Sequence, residues 1–422
     1  MNIFQKIFHN KVLRNGGLFS FYSFFQKGIS FFLLILLAKF ITPNDYGLMN
    51  LFNTAVMLLG YFVGLNTAGY LSISYFTSGN VENFREDFTI IILITIGSII
   101  LLLMSIFPFI SSLSTLLSVT PSLLITALSL ATCNTFLQIL LNYYRVQEKV
   151  IAYGIYSCST SILSALLVFV CVFYLRQGWY GYVEGQLISL TLAAVTSLFL
   201  FKKWDLYSFK RLSLQRFKEI IMWGIPLIPH LATVWIRQGM DRYIIEHNHT
   251  TTDVGLFSFA LNLTNIIIMV GTSFNNTFSV NILKTLSLDI PLSQKIENLK
   301  TQNKKIITIY IIGTILITLG IILCIPFIMP NYSPAIKYFI ILSFYGLCQC
   351  FYFQYCNFFF YYKKTRTLMY ITFSSSLLHL LLSLLFTQYS LIYTCFIYVF
   401  IQMCIVFMIK KISTKIIIQY CQ

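Results

Sequence analysis

The feature that most constrains this chain is a series of apolar segments of helix length that recurs from one end to the other. A helix needs about 20 apolar residues to cross the hydrocarbon core of a bilayer. Charged residues make up only 10% of the 422 residues, whereas about a quarter of the residues of an average soluble domain are charged. The sequence therefore predicts an all-α integral membrane protein with no room for an appended soluble domain.

The hydropathy pattern predicts twelve transmembrane helices in two lobes of six around a central cavity. The predicted spans are approximately 17–41, 47–74, 88–111, 121–144, 152–175, 181–201, 220–243, 254–282, 305–329, 335–362, 367–387 and 391–409. The corresponding domains are an amphipathic N-terminal helix at 1–16, an N-terminal lobe at 17–201, a basic linker at 202–219, a C-terminal lobe at 220–409 and a tail at 410–422.

Basic residues are divided unevenly among the connectors. The net charge is +16, but a polyanion binder gathers its basic residues on one solvent-facing surface, and here they lie in short connectors between apolar segments. One set of connectors, which includes both termini, holds most of the 29 lysines and arginines. The positive-inside rule then predicts a multi-pass protein with both termini in the cytoplasm. The acidic connector VENFRED (81–87) is an exception in this set, although acidic residues count little in that rule.

The chain also contains an internal repeat. The stretch TPNDYGLMNLFN (42–53) resembles TTDVGLFSFALN (251–262), and when Asp45 is aligned with Asp253, Gly47 corresponds to Gly255. Each half then has six spans, and an even number returns the chain to its starting side, which predicts two lobes of the same orientation. Such a pair of lobes is typical of a transporter with its substrate near the bilayer midplane, whereas a channel would need a selectivity filter.

Two cations lie deep inside predicted spans. Lys27 is ten residues into the first span, which is about 15 Å along a helix and close to the bilayer centre. Arg237 lies at comparable depth in the seventh span, the repeat counterpart of the first, and Arg242 follows it. Charge at such depth is costly and is usually kept for function or paired. We therefore interpret these three residues as candidate binders of an anion, best a phosphate or pyrophosphate, whose oxygens match guanidinium and ammonium donors.

Nearby acids allow a competing interpretation. Asp241 is four residues after Arg237 and Glu246 is four residues after Arg242, a spacing at which opposite charges pair on a helix. Asp241 is also a candidate partner for Lys27. Both acids are at the same time candidates for coupling transport to a gradient of H+ or Na+.

Prolines and histidines add further candidates. Pro226 and Pro229 predict a kink in the seventh span, either a hinge that moves during transport or a fixed bend for packing. The sequence favours packing roles for His230 and His379, because a lone histidine on an apolar face seldom does more.

Several motifs are missing from the sequence. Cys348, Cys350 and Cys356 do not follow the spacing of a zinc site. No G-x-x-x-x-G-K-[ST], H-E-x-x-H or G-x-S-x-G motif occurs. The sequence therefore predicts no cofactor, no metal site, no catalytic residue and no nucleic-acid partner.

The pattern resembles that of bacterial polysaccharide flippases, the translocases of O-antigen and capsule repeat units within the multidrug, oligosaccharidyl-lipid and polysaccharide exporter superfamily. The resemblance is carried by the basic N-terminal helix, by TPNDYGLMNLF (42–52), and by GIPLIPH (224–230), MDRYII (240–245) and DVGLFSFA (253–260). It implies a transporter, not an enzyme, that moves an undecaprenyl-pyrophosphate-linked oligosaccharide from the cytoplasmic to the periplasmic leaflet through a cationic cavity. It also implies membrane lipids, a polysaccharide polymerase and chain-length machinery as partners.

Two other functions stay open at this point. A drug or cation exporter of the same superfamily would need unpaired acids at the midplane, where this sequence places bases as well. A membrane polysaccharide polymerase would need a large periplasmic loop, and the predicted spans leave none.

Overall fold

The computed structural model describes residues 11–209, 212–288, 290–362 and 364–421. Every regular element in these ranges is helical. Eleven of the helices found there are long and apolar enough to cross a membrane, and a shorter apolar helix lies at Phe21–Leu37. These findings confirm the predicted all-α membrane fold. Of the predicted amphipathic helix at 1–16, residues 1–10 lie outside the described part of the chain.

Packing divides the chain into two compact units. The first unit comprises Met1–Ile41 and Leu48–Trp235, so it extends past the predicted linker at 202–219. Its α-helices are α1 (Lys11–Leu37), α2 (Pro43–Phe62, from Leu48 onward), α3 (Leu71–Thr77), α4 (Val81–Ile106), α5 (Ile110–Leu116), α6 (Pro121–Val146), α7 (Val150–Phe169), α8 (Trp179–Lys203), α9 (Leu214–Gly224) and most of α10 (Leu227–Gln238).

The second unit comprises Thr42–Gly47 and Ile236–Gln422. Its helices are α11 (Met240–Asn248), α12 (Thr251–Ser287), α13 (Leu292–Ile328), α14 (Ile336–Tyr361), α15 (Thr365–Phe386) and α16 (Leu391–Cys421). Helix α16 continues through the predicted tail at 410–422 as far as Cys421. It does so with a buried face, on which Ser413 and Ile416 are 2% and 6% exposed.

The two aligned stretches of the repeat begin helices α2 and α12 with the same kind of cap. The Thr42 hydroxyl accepts a hydrogen bond from the Asp45 backbone N–H at 3.1 Å. The Thr250 hydroxyl accepts one from the Asp253 N–H at 3.2 Å, and the Asp253 carboxylate accepts one from the Thr250 N–H in return. Such caps satisfy N–H groups that have no partner within the helix. The repeated sequence T-x-x-D therefore marks two helix starts.

The glycines that correspond in the repeat allow these two helix starts to cross in backbone contact. A Cβ atom on Gly47 would lie 2.1 Å from the Thr251 carbonyl oxygen, and one on Gly255 would lie 1.8 Å from the Pro43 carbonyl oxygen. No other residue fits at either position without moving a helix. The repeat thus reflects a close contact inside the second unit.

The segment predicted as one span at 220–243 consists of three helices. Helix α9 ends at Gly224, helix α10 begins at Leu227, and a further break at Gly239 precedes α11. Pro226 lies in the first break and Pro229 is the third residue of α10, where a helix lacks intrahelical hydrogen bonds in any case. The two prolines therefore interrupt the span at its start.

The acidic connector at 81–87 holds the start of α9 against the first unit. Glu86 and Asp87 are buried, at 7% and 3% exposure. Asp87 Oδ1 lies 2.8 Å from Arg216 Nη1, and Asp87 Oδ2 accepts a hydrogen bond from the Ser74 hydroxyl at 2.7 Å. Glu86 Oε1 accepts one from the Ser213 backbone N–H at 2.9 Å. These contacts explain why this connector contains several acidic residues, because two of its carboxylates bind the end of the basic linker.

Candidate functional site

Asp241 and His379 form a buried pair in the second unit. His379 Nε2 lies 2.7 Å from Asp241 Oδ2, and the side chains are 2% and 1% exposed. Helix α11 supplies the aspartate and α15 the histidine, although 138 positions separate them in sequence. The prediction that His379 is merely packed is therefore wrong.

Aromatic side chains enclose this pair. The Tyr398 ring packs edge-to-face on the His379 ring with the centroids 4.8 Å apart, and Tyr345 packs on Tyr398 in the same manner at 5.2 Å. The Tyr398 hydroxyl lies near the Asp241 carboxylate, but neither it nor the buried Asp241 Oδ1 forms a hydrogen bond of normal geometry with a described residue. One carboxylate oxygen is thus left for a proton, a water molecule or a cation.

Arg237 lies at the end of α10 and is half-buried. Its Nε atom is buried and donates to no acceptor in the described ranges. The ion pairs found among the described residues include none with Arg237, since Asp241 binds His379 instead. The competing interpretation, in which Asp241 neutralises Arg237, therefore does not describe this structure.

Arg242 and Glu246 each bind neutral groups. Arg242 Nε donates to the Ser258 hydroxyl at 3.0 Å, and its Nη1 donates to the Gln238 carbonyl oxygen. Glu246 Oε1 accepts a hydrogen bond from the Thr251 hydroxyl at 2.9 Å, and its buried Oε2 accepts none from a described residue. These contacts anchor α11 to α10 and to the start of α12.

The other predicted residues are placed less completely. Lys27 lies in α1 and His230 in α10, but their side chains are outside the described part of the structure. That Lys27 and Arg237 together bind an anion therefore stays a prediction. Pro226 stands at the break before α10, and its role as a moving hinge also stays a prediction.

The sequence reasoning missed a polar cavity inside the first unit. Its volume is about 370 Å³, and it adjoins a second cavity of about 240 Å³. Their linings mix apolar residues with uncharged polar side chains, among them the carboxamides of Asn53, Asn66, Asn134, Gln138, Gln26 and Gln186. A signal was present in the sequence, because Asn134 and Gln138 are four residues apart and therefore share one face of an otherwise apolar helix.

Comparison with known protein families gives one match that covers more than half of the chain. The family described as "Polysaccharide biosynthesis protein" matches residues 12–279. A Haemophilus influenzae protein described as "Lsg locus putative protein 1" is 25% identical over 275 residues. That alignment covers 62% of this chain and 62% of the relative, so it spans less than two thirds of either.

Solved structures share the fold over nearly the whole chain. An inward-facing multidrug resistance MATE family transporter of the MOP superfamily matches with a TM-score of 0.72 and 12% identity, covering 93% of this chain and 95% of that one. The lipid II flippase MurJ in its inward closed conformation matches with a TM-score of 0.69 and 16% identity, covering 95% and 90%. At these identities the shared property is the fold, which is that of a membrane transporter.

Proposed function

This chain belongs to the polysaccharide biosynthesis protein family, and we propose that it is a flippase for an undecaprenyl-pyrophosphate-linked oligosaccharide, such as an O-antigen or capsule repeat unit. It would carry this lipid from the cytoplasmic to the periplasmic leaflet of the bacterial inner membrane by alternating access. The likeness of its fold to that of a lipid II flippase supports the proposal. A polysaccharide polymerase and chain-length proteins would then act on the flipped product.

The observation that carries the proposal is that the Arg237 guanidinium has no ion-pair partner in the described ranges. A guanidinium inside a transmembrane segment is costly unless an anion or a polar group offsets its charge. Its Nε atom is buried without an acceptor in the described ranges, and Asp241 is engaged by His379. A pyrophosphate supplies both the charge and the paired oxygens that a guanidinium binds in bidentate fashion. Arg237 would therefore bind the headgroup, assisted by Lys27 and Arg242.

Coupling to an ion gradient would involve Asp241. His379 engages one oxygen of the Asp241 carboxylate at 2.7 Å, and the buried Oδ1 accepts no hydrogen bond from a described residue. The coupling ion would be H+ or Na+, with Glu246 as a second candidate site. Pro226 would allow the bend between α9 and α10 to change as the protein opens to either side.

One observation favours a second candidate function, the export of a cationic small molecule. Asp241 Oδ1 is buried and accepts no hydrogen bond from a described residue, and a free carboxylate oxygen could receive a cation. An exporter would respond to cationic substrates and lose transport in Asp241→Asn, whereas a flippase would not move them.

The test is a flipping assay in proteoliposomes loaded with a lipid-linked oligosaccharide that carries a radiolabelled sugar. Flipping is read as the loss of access of that sugar to an impermeant oxidant outside the vesicle, with and without an imposed pH gradient. We expect Arg237→Ala to slow flipping about tenfold or more, since a hydrogen bond to a charged group contributes about 1.5–3 kcal/mol. Lys27→Ala should also slow it, and Arg237→Lys should be milder than Arg237→Ala.

The matched control is Arg366→Ala, which removes an exposed arginine from the same unit and should leave the rate unchanged. Wild-type rates in both Arg237→Ala and Lys27→Ala would refute the binding roles of these cations. No flipping by the wild-type protein, together with transport of a cationic dye, would favour the exporter instead. Equal losses in Arg237→Lys and Arg237→Ala would indicate that the planar guanidinium, and not charge alone, is required.

A further inference from the structure

Two neighbouring cavities lie in the first unit, and we call them together the carboxamide cavity. They share three lining residues: Asn53, Val56 and Asn134. The larger cavity, at about 370 Å³, falls within the range of about 300–1,000 Å³ that is usual for small-molecule sites. The region therefore has room for a ligand the size of a sugar residue, with further room beside it.

The polar side chains of the lining carry no charge among the residues described. Carboxamides come from four helices: α1 supplies Gln26, α2 supplies Asn53, α6 supplies Asn134 and Gln138, and α8 supplies Gln186. Each amide offers two donors and an acceptor with two lone pairs. An anion would be matched by cations and a cation by carboxylates, and the described residues that line this region include neither. The chemistry instead fits a neutral ligand with many hydroxyl groups, which donate and accept in equal measure.

Most of these carboxamides have no hydrogen-bond partner among the residues that the structure describes. The side chains of Gln26, Asn134, Gln138 and Gln186 form no hydrogen bond with any residue that the structure describes. Asn53 is the exception, since its oxygen accepts a hydrogen bond from the Tyr182 hydroxyl at 3.1 Å. Unsatisfied amides cannot face lipid without a penalty of several kcal/mol each. They must therefore face water or a polar ligand.

A broken helix borders the cavity. Between α2 and α3 the chain forms a 3₁₀ segment in which Gly64, Leu65 and Asn66 all have positive φ angles of 70°, 47° and 57°. For leucine this conformation is strained, and it is held by the Gly64 N–H, which donates to the Ser98 hydroxyl at 2.7 Å. Gly64 and Asn66 line the cavity. Discontinuous transmembrane helices of this kind are typical of substrate sites in transporters, and strain is usually kept where it serves function.

We propose that the carboxamide cavity is a glycan subsite that binds the sugar hydroxyls of the lipid-linked oligosaccharide, separately from the cationic residues that bind its pyrophosphate. This inference rests on the proposed flippase function and names where the sugar part is recognised. Asn134 on α6 lines both of its parts, Gln138 on the same face of α6 lines the larger part, and Gln186 on α8 lines the smaller part. Discrimination between glycans arises here because a site built to hydrogen-bond hydroxyls rejects a ligand that lacks them.

The test separates sugar binding from flipping. The purified protein is titrated calorimetrically with the free oligosaccharide that mild acid releases from the cell's own lipid-linked intermediate, and separately with undecaprenyl pyrophosphate that carries no sugar. We expect Asn134→Ala and Gln138→Leu each to weaken binding of the free oligosaccharide about 3- to 10-fold, as the loss of one hydrogen bond predicts. Binding of the sugar-free lipid should stay within twofold of wild type.

The matched control is Ser129→Ala on the same helix. The Ser129 hydroxyl donates to the Ile125 carbonyl oxygen within the helix and does not line the cavity, so its removal should leave the affinity for the oligosaccharide unchanged. If either α6 variant fails to yield folded protein, Gln186→Leu on α8 tests the same site from another helix. Thermal unfolding of each variant separates lost binding from lost structure.

Each outcome decides one hypothesis. Wild-type affinity for the free oligosaccharide in folded Asn134→Ala, Gln138→Leu and Gln186→Leu would overturn the glycan subsite while leaving the flippase proposal intact. An equal loss of affinity for the oligosaccharide and for the sugar-free lipid would also overturn it, because the amides would then bind the headgroup or stabilise the fold. Binding of the oligosaccharide through these amides by a protein that flips no lipid-linked oligosaccharide would support the subsite and refute the flippase.

Discussion

Substituting Gly255 by alanine tests the contact that joins the two repeat-related helix starts. The added Cβ would lie 1.8 Å from the Pro43 carbonyl oxygen, whereas real Cβ contacts are essentially never shorter than 3.0 Å. The obstacle is backbone and not a flexible side chain, so the starts of α2 and α12 would have to separate by roughly 1 Å. Such a separation would also loosen the hydrogen bond of 2.7 Å from the Asn262 amide to the Tyr46 hydroxyl.

Two opposing effects set the expected size of the change. Alanine favours a helix over glycine by about 0.5–1 kcal/mol, and overpacking costs about 1–3 kcal/mol, occasionally more. Because a rigid carbonyl group is the neighbour, we expect the upper end of that cost and a net loss of about 2–3 kcal/mol. For a unit of this size, the loss corresponds to a fall in Tm of roughly 5–10 °C.

The assay is thermal unfolding in detergent, followed with a maleimide that fluoresces when it reacts with cysteine. Cys350 and Cys395 in the second unit are 1% and 0% exposed, so they react only after unfolding. Gly320→Ala is the matched control, because a Cβ at that position of α13 meets nothing within 4 Å. It should raise Tm slightly or leave it unchanged.

A Tm for Gly255→Ala at or above that of the wild type would refute the reasoning, since it would mean that the helix starts are not in backbone contact.

The double variant Gly47→Ala with Gly255→Ala is a second test of this contact. Gly47 and Gly255 adjoin one another, with a Cβ on Gly255 placed 3.1 Å from the Gly47 nitrogen. Once the first alanine has parted the helices, the second should cost less than it does alone. Strictly additive losses would indicate two unrelated sites.

Three further predictions use the same unfolding assay or limited proteolysis. Replacing His379 by leucine leaves Asp241 buried without its partner and should cost about 3–5 kcal/mol, much of which the double variant with Asp241→Leu should restore; additive losses would exclude the pairing. Changing Asp87 to asparagine removes the charge that holds Arg216 at 2.8 Å, so trypsin should cut the linker at 202–219 several-fold faster, and an unchanged rate would show that the linker does not depend on this contact. Alanine at Gly224 would place a Cβ 2.3 Å from a backbone carbonyl oxygen of the first unit and should lower Tm by roughly 5 °C or more, whereas an unchanged Tm would contradict the close approach.

The repeat illustrates how far sequence reasoning reached. Aligning Asp45 with Asp253 and Gly47 with Gly255 predicted two related halves. In the structure each aligned residue has a role. The aspartates take part in the caps at the starts of two helices, and the glycines allow the backbones of those helix starts to come into contact. That the two stretches contact one another was not predicted, because an alignment states equivalence and carries no information on distance.

The partner of Asp241 could not be predicted from the sequence. Helical spacing offered Asp241 as the partner of Arg237, four residues away. The structure pairs Asp241 with His379 from a helix 138 positions further along the chain. A spacing of four residues on one helix allows two side chains to pair, but it does not ensure that they do. A buried carboxylate is stabilised more by a buried partner that also hydrogen-bonds to it than by a half-exposed partner.

By itself the sequence determined the all-α membrane fold, the approximate positions of the spans and the related halves, because the length of an apolar run and its recurrence are properties of the chain alone. Only the tertiary structure decided which polar groups meet within those spans. It joined Asp241 to His379, left Arg237 without an ion-pair partner in the described ranges, and gathered the amides of four helices around one cavity. The physical reason is that a bilayer penalises every unsatisfied polar group, so that the packing of helices distant in sequence determines which groups are satisfied and which are left for a ligand.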